Sequence, residues 1–158
     1  VRRIGVSIYQ ESDLDGLPLH DLQIVQLPCS LYDQRLISNG TVYRLRDSGL
    51  SLHARSLFLQ GLLLIGSCNW PSRFSSSFRA HHHQLEQFAL SENQSLLDLS
   101  LGWAKCQQWM EAAVIGVTSP KELQALLAAW NGPYPWKSVD CDRWAWKDPE
   151  DLDPRCWN

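Results

Sequence analysis

Side chains able to do chemistry are spread along this 158-residue chain rather than gathered in one motif. His81, His82 and His83 are consecutive. Successive side chains on a helix diverge by about 100°, so three neighbours cannot converge on one metal ion, and no cysteine or carboxylate at ligand spacing completes such a site. A solvated helix face is expected for this run, and no metal. The cysteines, Cys29, Cys68, Cys106, Cys141 and Cys156, are five and lack C-x-x-C spacing, which reads as reduced thiols in a cytoplasmic protein. Ser119-Pro120-Lys121-Glu122 is more informative. A capping serine, proline at the first helical position and glutamate three residues after the serine open a helix over 121–130. The free N–H groups and dipole at its start suit an anion, which makes Gly116, Val117, Thr118 and Ser119 a candidate anion-binding turn. Ser119 also serves simply as a cap. Ser7, Gln26 and Arg55 are polar residues near the ends of three strand-like runs. The plain reading is a pair bonded to loop backbone for Ser7 and Gln26, and an ion pair with an acid for Arg55.

The elements that must position these residues alternate. Strand-like runs fall at 3–9, 22–27, 50–56 and 113–117, the last ending in Thr118-Ser119-Pro120 as a strand does when it hands over to a helix. Helices are expected over 121–130, over 95–110 behind the S-x-x-Q cap Ser91–Gln94, and over 34–48 with Gly49 as a stop. A single short turn fits 13–17. This order implies right-handed βαβ units and a parallel sheet. Residues 67–80 read as an irregular surface insertion. Residues 131–158 hold four of the eight tryptophans and lack helical period, so they read as a tail packed by its aromatic residues over the unit formed by 1–130. Stacking of those indoles on a ligand is the other option.

Composition removes several classes. Lys plus Arg total 14 against 17 Asp plus Glu, a net charge of -3, which does not favour nucleic acid. The longest apolar run, 57–66, has about half the roughly 20 residues of a bilayer span and is interrupted by Gln60, so no membrane segment is expected. The chain enters strand-like sequence directly at Val1, and its one methionine is Met110, so either residues have been lost upstream or the reading frame begins at a valine codon translated literally.

Four motifs, in this order, resemble the C-terminal half of an aldo-keto reductase. They are Ile4-Gly5-Val6-Ser7, Val25-Gln26-Leu27-Pro28, the run from His53 through Arg55-Ser56-Leu57-Phe58-Leu59-Gln60-Gly61 to Leu63, and Val114-Ile115-Gly116-Val117-Thr118-Ser119-Pro120, matching the fifth to eighth strands of the family. The third is similar to the family's bacterial branch of predicted oxidoreductases. The resemblance implies an α/β fold: half of a (β/α)8 TIM barrel, four parallel strands with outer helices, since a whole barrel needs roughly 250 residues. It implies a cofactor, NADP or NAD, and a small carbonyl substrate. Ser7 and Gln26 match the family's carboxamide-binding serine and glutamine. Arg55 stands where many relatives place a tyrosine that stacks on nicotinamide, and a guanidinium can stack or pair with a phosphate. Ser56, Leu57, Gln60 and Gly61 fall on the pyrophosphate-wrapping loop, and Gly116, Val117, Thr118 and Ser119 on the adenosine-phosphate turn. Ile8 replaces an asparagine, and Gly116 and Glu122 replace basic residues of NADP-specific relatives.

The family's catalytic tyrosine and its partners come from the first four strands, so no catalytic residue is carried over. Tyr9, Tyr32, Tyr43 and Tyr134 match no catalytic position. The expected partner is the missing N-terminal half-barrel or a second copy of the chain, because four strands leave Ile4, Val6 and Ile8 at one edge and Val114, Ile115 and Val117 at the other. The alternative function is a non-catalytic half-barrel that dimerises, binds a nucleotide or serves as an interaction module.

Overall fold

The computed structural model of the chain describes residues 1–133 and 142–157. Four strands, β1 (Gly5–Ser7), β2 (Ile24–Pro28), β3 (Ser51–Arg55) and β4 (Ala112–Ala113), form one parallel sheet in the order β1-β2-β3-β4. The sheet is open, as part of a βα barrel would be. Gly5 lets β1 approach β2 closely, because a Cβ there would lie 2.3 Å from the Ile24 carbonyl oxygen.

Alternation along the strands sends their side chains to two unlike faces. Val25, Leu27, Leu52 and Ala54 are each at most 1% exposed and belong to the hydrophobic core. Helices α1 (Arg35–Ser38) and α2 (Thr41–Asp47) contribute Leu36, Val42 and Leu45 to that core, and α4 (Leu96–Cys106) contributes Leu99 and Trp103. The other face carries Gly5, Ser7, Ile24, Gln26, Pro28, Ser51, His53, Arg55 and Ala112, of which Pro28 is buried and the rest are partly or fully exposed. At its foot, Arg3 donates to Ser51 Oγ at 3.0 Å and to Glu111 at 2.9 Å, linking the approaches to β1 and β4. That guanidinium holds the Glu111 carboxyl down at about 2.

Several expectations shift. The fourth strand pairs only at Ala112–Ala113. The Val114 N–H still reaches the Ala54 carbonyl, but the β3 ladder ends one residue later, where the Arg55 carbonyl accepts from Cys29, so 115–117 have no strand to follow. The helical stretch 34–48 is split by Gly40, at φ +81°. Ser91 is the last residue of α3 (Ser76–Ser91), not a cap; Ser95 caps α4 reciprocally with Asp98.

Residues 67–80 are not loose surface, because Trp70, Phe74 and Phe78 are buried and α3 starts at Ser76 behind the Ser75 cap. The histidines do lie on a helix, yet the solvated-face expectation fails for His82, which is 0% exposed. It falls on the buried stripe Phe78, His82, Leu85, Ala89. At the sheet edges, Ile8 is 0% exposed and Val6 and Ile115 are partly covered, whereas Ile4, Val114 and Val117 are exposed. Helix α5 (Pro120–Asn131) buries none of its residues. Residues 142–157, with α6 (Pro149–Leu152), place Trp144 and Leu152 in the core. Tyr134 and Cys141 lie outside the described residues. Among the described residues, no helix is long and apolar enough to cross a membrane, and no cluster of His, Cys, Asp or Glu is arranged for a metal.

Candidate functional site

Parallel pairing sets Ser7 beside Gln26 and carries Arg55 to the same end of the open face. This is the carboxyl end of the strands, where βα folds place their sites. The Ser7 hydroxyl donates to Gln26 Oε1 at 3.3 Å and accepts from Arg55 Nε at 3.3 Å. Arg55 also donates to Ser56 Oγ at 3.3 Å and to the Ile8 carbonyl at 3.0 Å. Ser7, Gln26, Arg55 and Ser56 thus form one connected corner. Ser7 is exposed and Gln26 half-buried. A hydroxyl and an amide 3.3 Å apart can present one donor and one acceptor to a planar amide, which is what a nicotinamide carboxamide requires.

The corner runs into an unusual loop. Ser56, Leu59 and Gln60 have φ of 61°, 44° and 54°, and Gly61 follows at 89°. Left-handed backbone at non-glycine residues is strained by roughly 1–3 kcal/mol each and persists only where surroundings enforce it. The buried Leu57 and Leu59 side chains, 2% and 1% exposed, supply that enforcement. Leu57 can therefore meet a ligand only through its main chain, whereas Gln60 is exposed.

The turn 116–119 follows the edge strand β4, and no hydrogen bond recorded among the described residues joins it to the Ser7 corner. Ser119 caps α5 by accepting from the Glu122 N–H at 3.2 Å. The expected reciprocal contact is displaced by one residue: Glu122 accepts from the Thr118 N–H at 2.6 Å and from its hydroxyl at 2.9 Å. Those bonds keep the Glu122 carboxyl below its ordinary value. The anion-favouring start of α5 is already held by a carboxylate of the chain itself.

Three contacts at the mouth were not singled out in the sequence. The Arg55 guanidinium carbon lies 4.1 Å from the centroid of the Tyr9 ring, and that of Arg155 lies 4.0 Å from it. Arg155 is in turn paired with Asp153 at 2.6 Å. Tyr32 and His82 form a buried bond of 2.8 Å, with His82 Nε2 3.0 Å from the Ile65 carbonyl. That carbonyl can only accept, which fixes the proton on Nε2 and makes the tyrosine hydroxyl the donor to Nδ1. Burial lowers the His82 pKa and raises that of Tyr32 well above its usual value. The terminal stretch joins the same corner of the fold: Trp146 N–H donates to the Tyr32 carbonyl at 2.9 Å, and His81 Nε2 sits 3.0 Å from the Trp144 carbonyl. His53 Nε2, on the open face, is buried with no hydrogen-bond partner among the described residues.

A family model described as the Aldo/keto reductase family matches residues 1–141 of the chain. No curated protein matches it.

Proposed function

The chain belongs to the aldo/keto reductase family, and on that premise we propose that it is the cofactor-binding half of an NAD(P)H-dependent reductase of aldehydes or ketones. The family supports an oxidoreductase role. The observation that carries the finer reading is the Ser7–Gln26–Arg55 corner, a hydrogen-bonded donor and acceptor on the open face at the carboxyl end of the strands. When bound, the cofactor supplies a hydride for the carbonyl carbon. Ser7 and Gln26 hold the carboxamide and so fix which ring face is presented. Main-chain groups of Ser56 and Leu57, with Gln60 and Gly61, follow the pyrophosphate, and Gly116, Val117, Thr118 and Ser119 lie towards the adenosine end. The proton for the carbonyl oxygen comes from the other half of the barrel, and none of the residues of this chain serves as its donor.

That other half is the partner that covers the open face. The β4–α5 side supports this: a groove of about 390 Å³ is lined by residues including Ile115, Val117, Leu123, Leu127 and Trp130. Of these, Val117, Leu123, Leu127 and Trp130 are among the exposed large apolar residues. Exposed apolar surface of this kind beside an edge strand marks a contact surface. A second copy of the chain is the competing occupant, and sedimentation of the isolated chain separates the two.

The binding claim is tested by titrating the chain with NADH and NADPH and following tryptophan fluorescence. Saturable quenching, weakened in Ser7→Ala and Gln26→Ala with an unchanged circular dichroism spectrum, is expected. No quenching by either dinucleotide at millimolar concentration would overturn it.

A further inference from the structure

Two guanidinium groups close on one tyrosine at the mouth. The Arg55 guanidinium carbon lies 4.1 Å from the Tyr9 ring centroid, and that of Arg155 lies 4.0 Å from it. Planar cations that near one ring collide if they share a face, so the phenol is clamped between them. Each layer is anchored separately. Asp13 accepts from the Tyr9 and Gln10 N–H groups at 2.7 and 3.1 Å and fixes the turn after β1. Asp153, 6% exposed, accepts from Arg155 Nε at 3.0 Å and from its Nη2 at 2.6 Å. The stretch that carries both is tied down where the Trp146 N–H donates to the Tyr32 carbonyl and where Trp144 and Leu152 enter the core. Asp153 and Asp13 also act on Arg155 as opposite charges, so the outer guanidinium adds packing and no net charge.

We propose that Tyr9 is a positioning residue: braced from behind by Arg155, its ring holds the Arg55 guanidinium against the nicotinamide, which makes residues 142–157 part of the cofactor site. This rests on the cofactor reading above, in which a carboxamide held by Ser7 and Gln26 puts the nicotinamide ring itself against Arg55. The hydrogen bonds of Arg55 do not fix it alone. Those to Ser7 Oγ and Ser56 Oγ are 3.3 Å long, beyond the usual range, and only the one to the Ile8 carbonyl, at 3.0 Å, is of ordinary length. Packing against Tyr9 supplies the remaining restraint, because guanidinium planes stack on aromatic faces and are attracted by the ring's electrons. It also covers one face of Arg55 and leaves the other for a second ring. Tyr9 in turn is only half-buried, so without Arg155 its far face would meet water and the ring could turn away.

The test compares, by calorimetry, each dinucleotide with the same molecule lacking nicotinamide: NADH with ADP-ribose, and NADPH with the phosphorylated ADP-ribose that matches it. Only the first of each pair engages the corner. In the unaltered chain the dinucleotide should bind about tenfold more tightly. Tyr9→Leu should narrow that gap about fivefold and Arg155→Ala about twofold to threefold, with the affinity for ADP-ribose unchanged in both. Tyr9→Phe keeps the ring and should keep most of the gap; a loss as large as that in Tyr9→Leu would assign the role to the hydroxyl and overturn the inference. A gap untouched by Tyr9→Leu and Arg155→Ala overturns it, as does a loss shared equally by dinucleotide and ADP-ribose, which would make the stack a structural contact alone. Arg155 is exposed, so its variant decides the matter if Tyr9→Leu does not fold. Equal affinity for NADH and ADP-ribose in the unaltered chain also overturns the inference and leaves dinucleotide binding standing, whereas absence of binding by either removes the cofactor reading as well.

Discussion

The two faces of the sheet are built from the same strands and obey different rules. On the helix-covered face, Val25, Leu27, Leu52 and Ala54 are excluded from water and every position is apolar. On the open face, residues one step along the same strands are Ser7, Gln26, His53 and Arg55, bonded to one another or partly exposed. A period of two separates them without any change in backbone. The covered face fixes the fold, and the open face carries the polar residues to which the proposed function is assigned.

The sharpest way to probe that contrast is to truncate one residue on each side. Leu27→Ala should cost about 2–5 kcal/mol, because the side chain is 0% exposed and its cavity cannot collapse fully. Gln26→Ala, its neighbour on the open face, should change stability by roughly 0.5 kcal/mol or less. Urea unfolding followed by circular dichroism measures both, and similar losses would erase the distinction. Gly5→Val should fall between them, at about 1–3 kcal/mol, since the added Cβ would press on the Ile24 carbonyl.

Acid distinguishes the two regions by where it acts. His82, on the covered side, has a lowered pKa through burial, so below its ordinary value of 6.5 the unfolded chain takes up a proton that the folded chain refuses. Stability therefore falls as pH drops from 6.5 towards the lowered value, with a slope of at most roughly 1.4 kcal/mol per pH unit. Glu111, at the foot of the open face, has its pKa depressed from 4.5 to about 2, so its contribution is complete above 4.5 and is lost as pH falls to about 2. Thermal melts across pH should show two separate windows. His82→Gln should flatten the upper one and Arg3→Ala the lower one; loss of both windows in either variant would mean that the faces are coupled.

How much of this could be read in advance follows the same division. The strands, their parallel order and the Ser119 cap were legible, because period and capping chemistry are local. The Ser7, Gln26 and Arg55 positions were legible as strand ends, but their hydrogen bonds depend on register between segments 19 and 48 residues apart. Helix α3 was obscured by its serines and histidines, although Phe78, His82, Leu85 and Ala89 keep helical spacing. Tyr9 between strand and turn, and Arg155 near the chain end, carry no sequence pattern that would join them. Only the path of 142–157 back to the mouth does so.

The smallest expected effect concerns the turn beyond β4, where the separation of stability from binding meets its hardest case. Glu122 supports the α5 start through Thr118 and, on the proposed cofactor reading, puts a carboxylate at the turn assigned to the adenosine phosphate. If binding at this end is decided by that charge, Glu122→Lys should raise the ratio of NADPH to NADH affinity by about threefold to tenfold, the range of an exposed charge acting at a helix start. It should cost little stability, since only the surface contacts to Thr118 are lost. Glu122→Gln keeps the hydrogen-bonding shape and removes the charge, so it should produce part of the shift in preference with less loss of stability. If the two variants change stability alike and leave the NADPH to NADH ratio untouched, the turn is a helix start and nothing more.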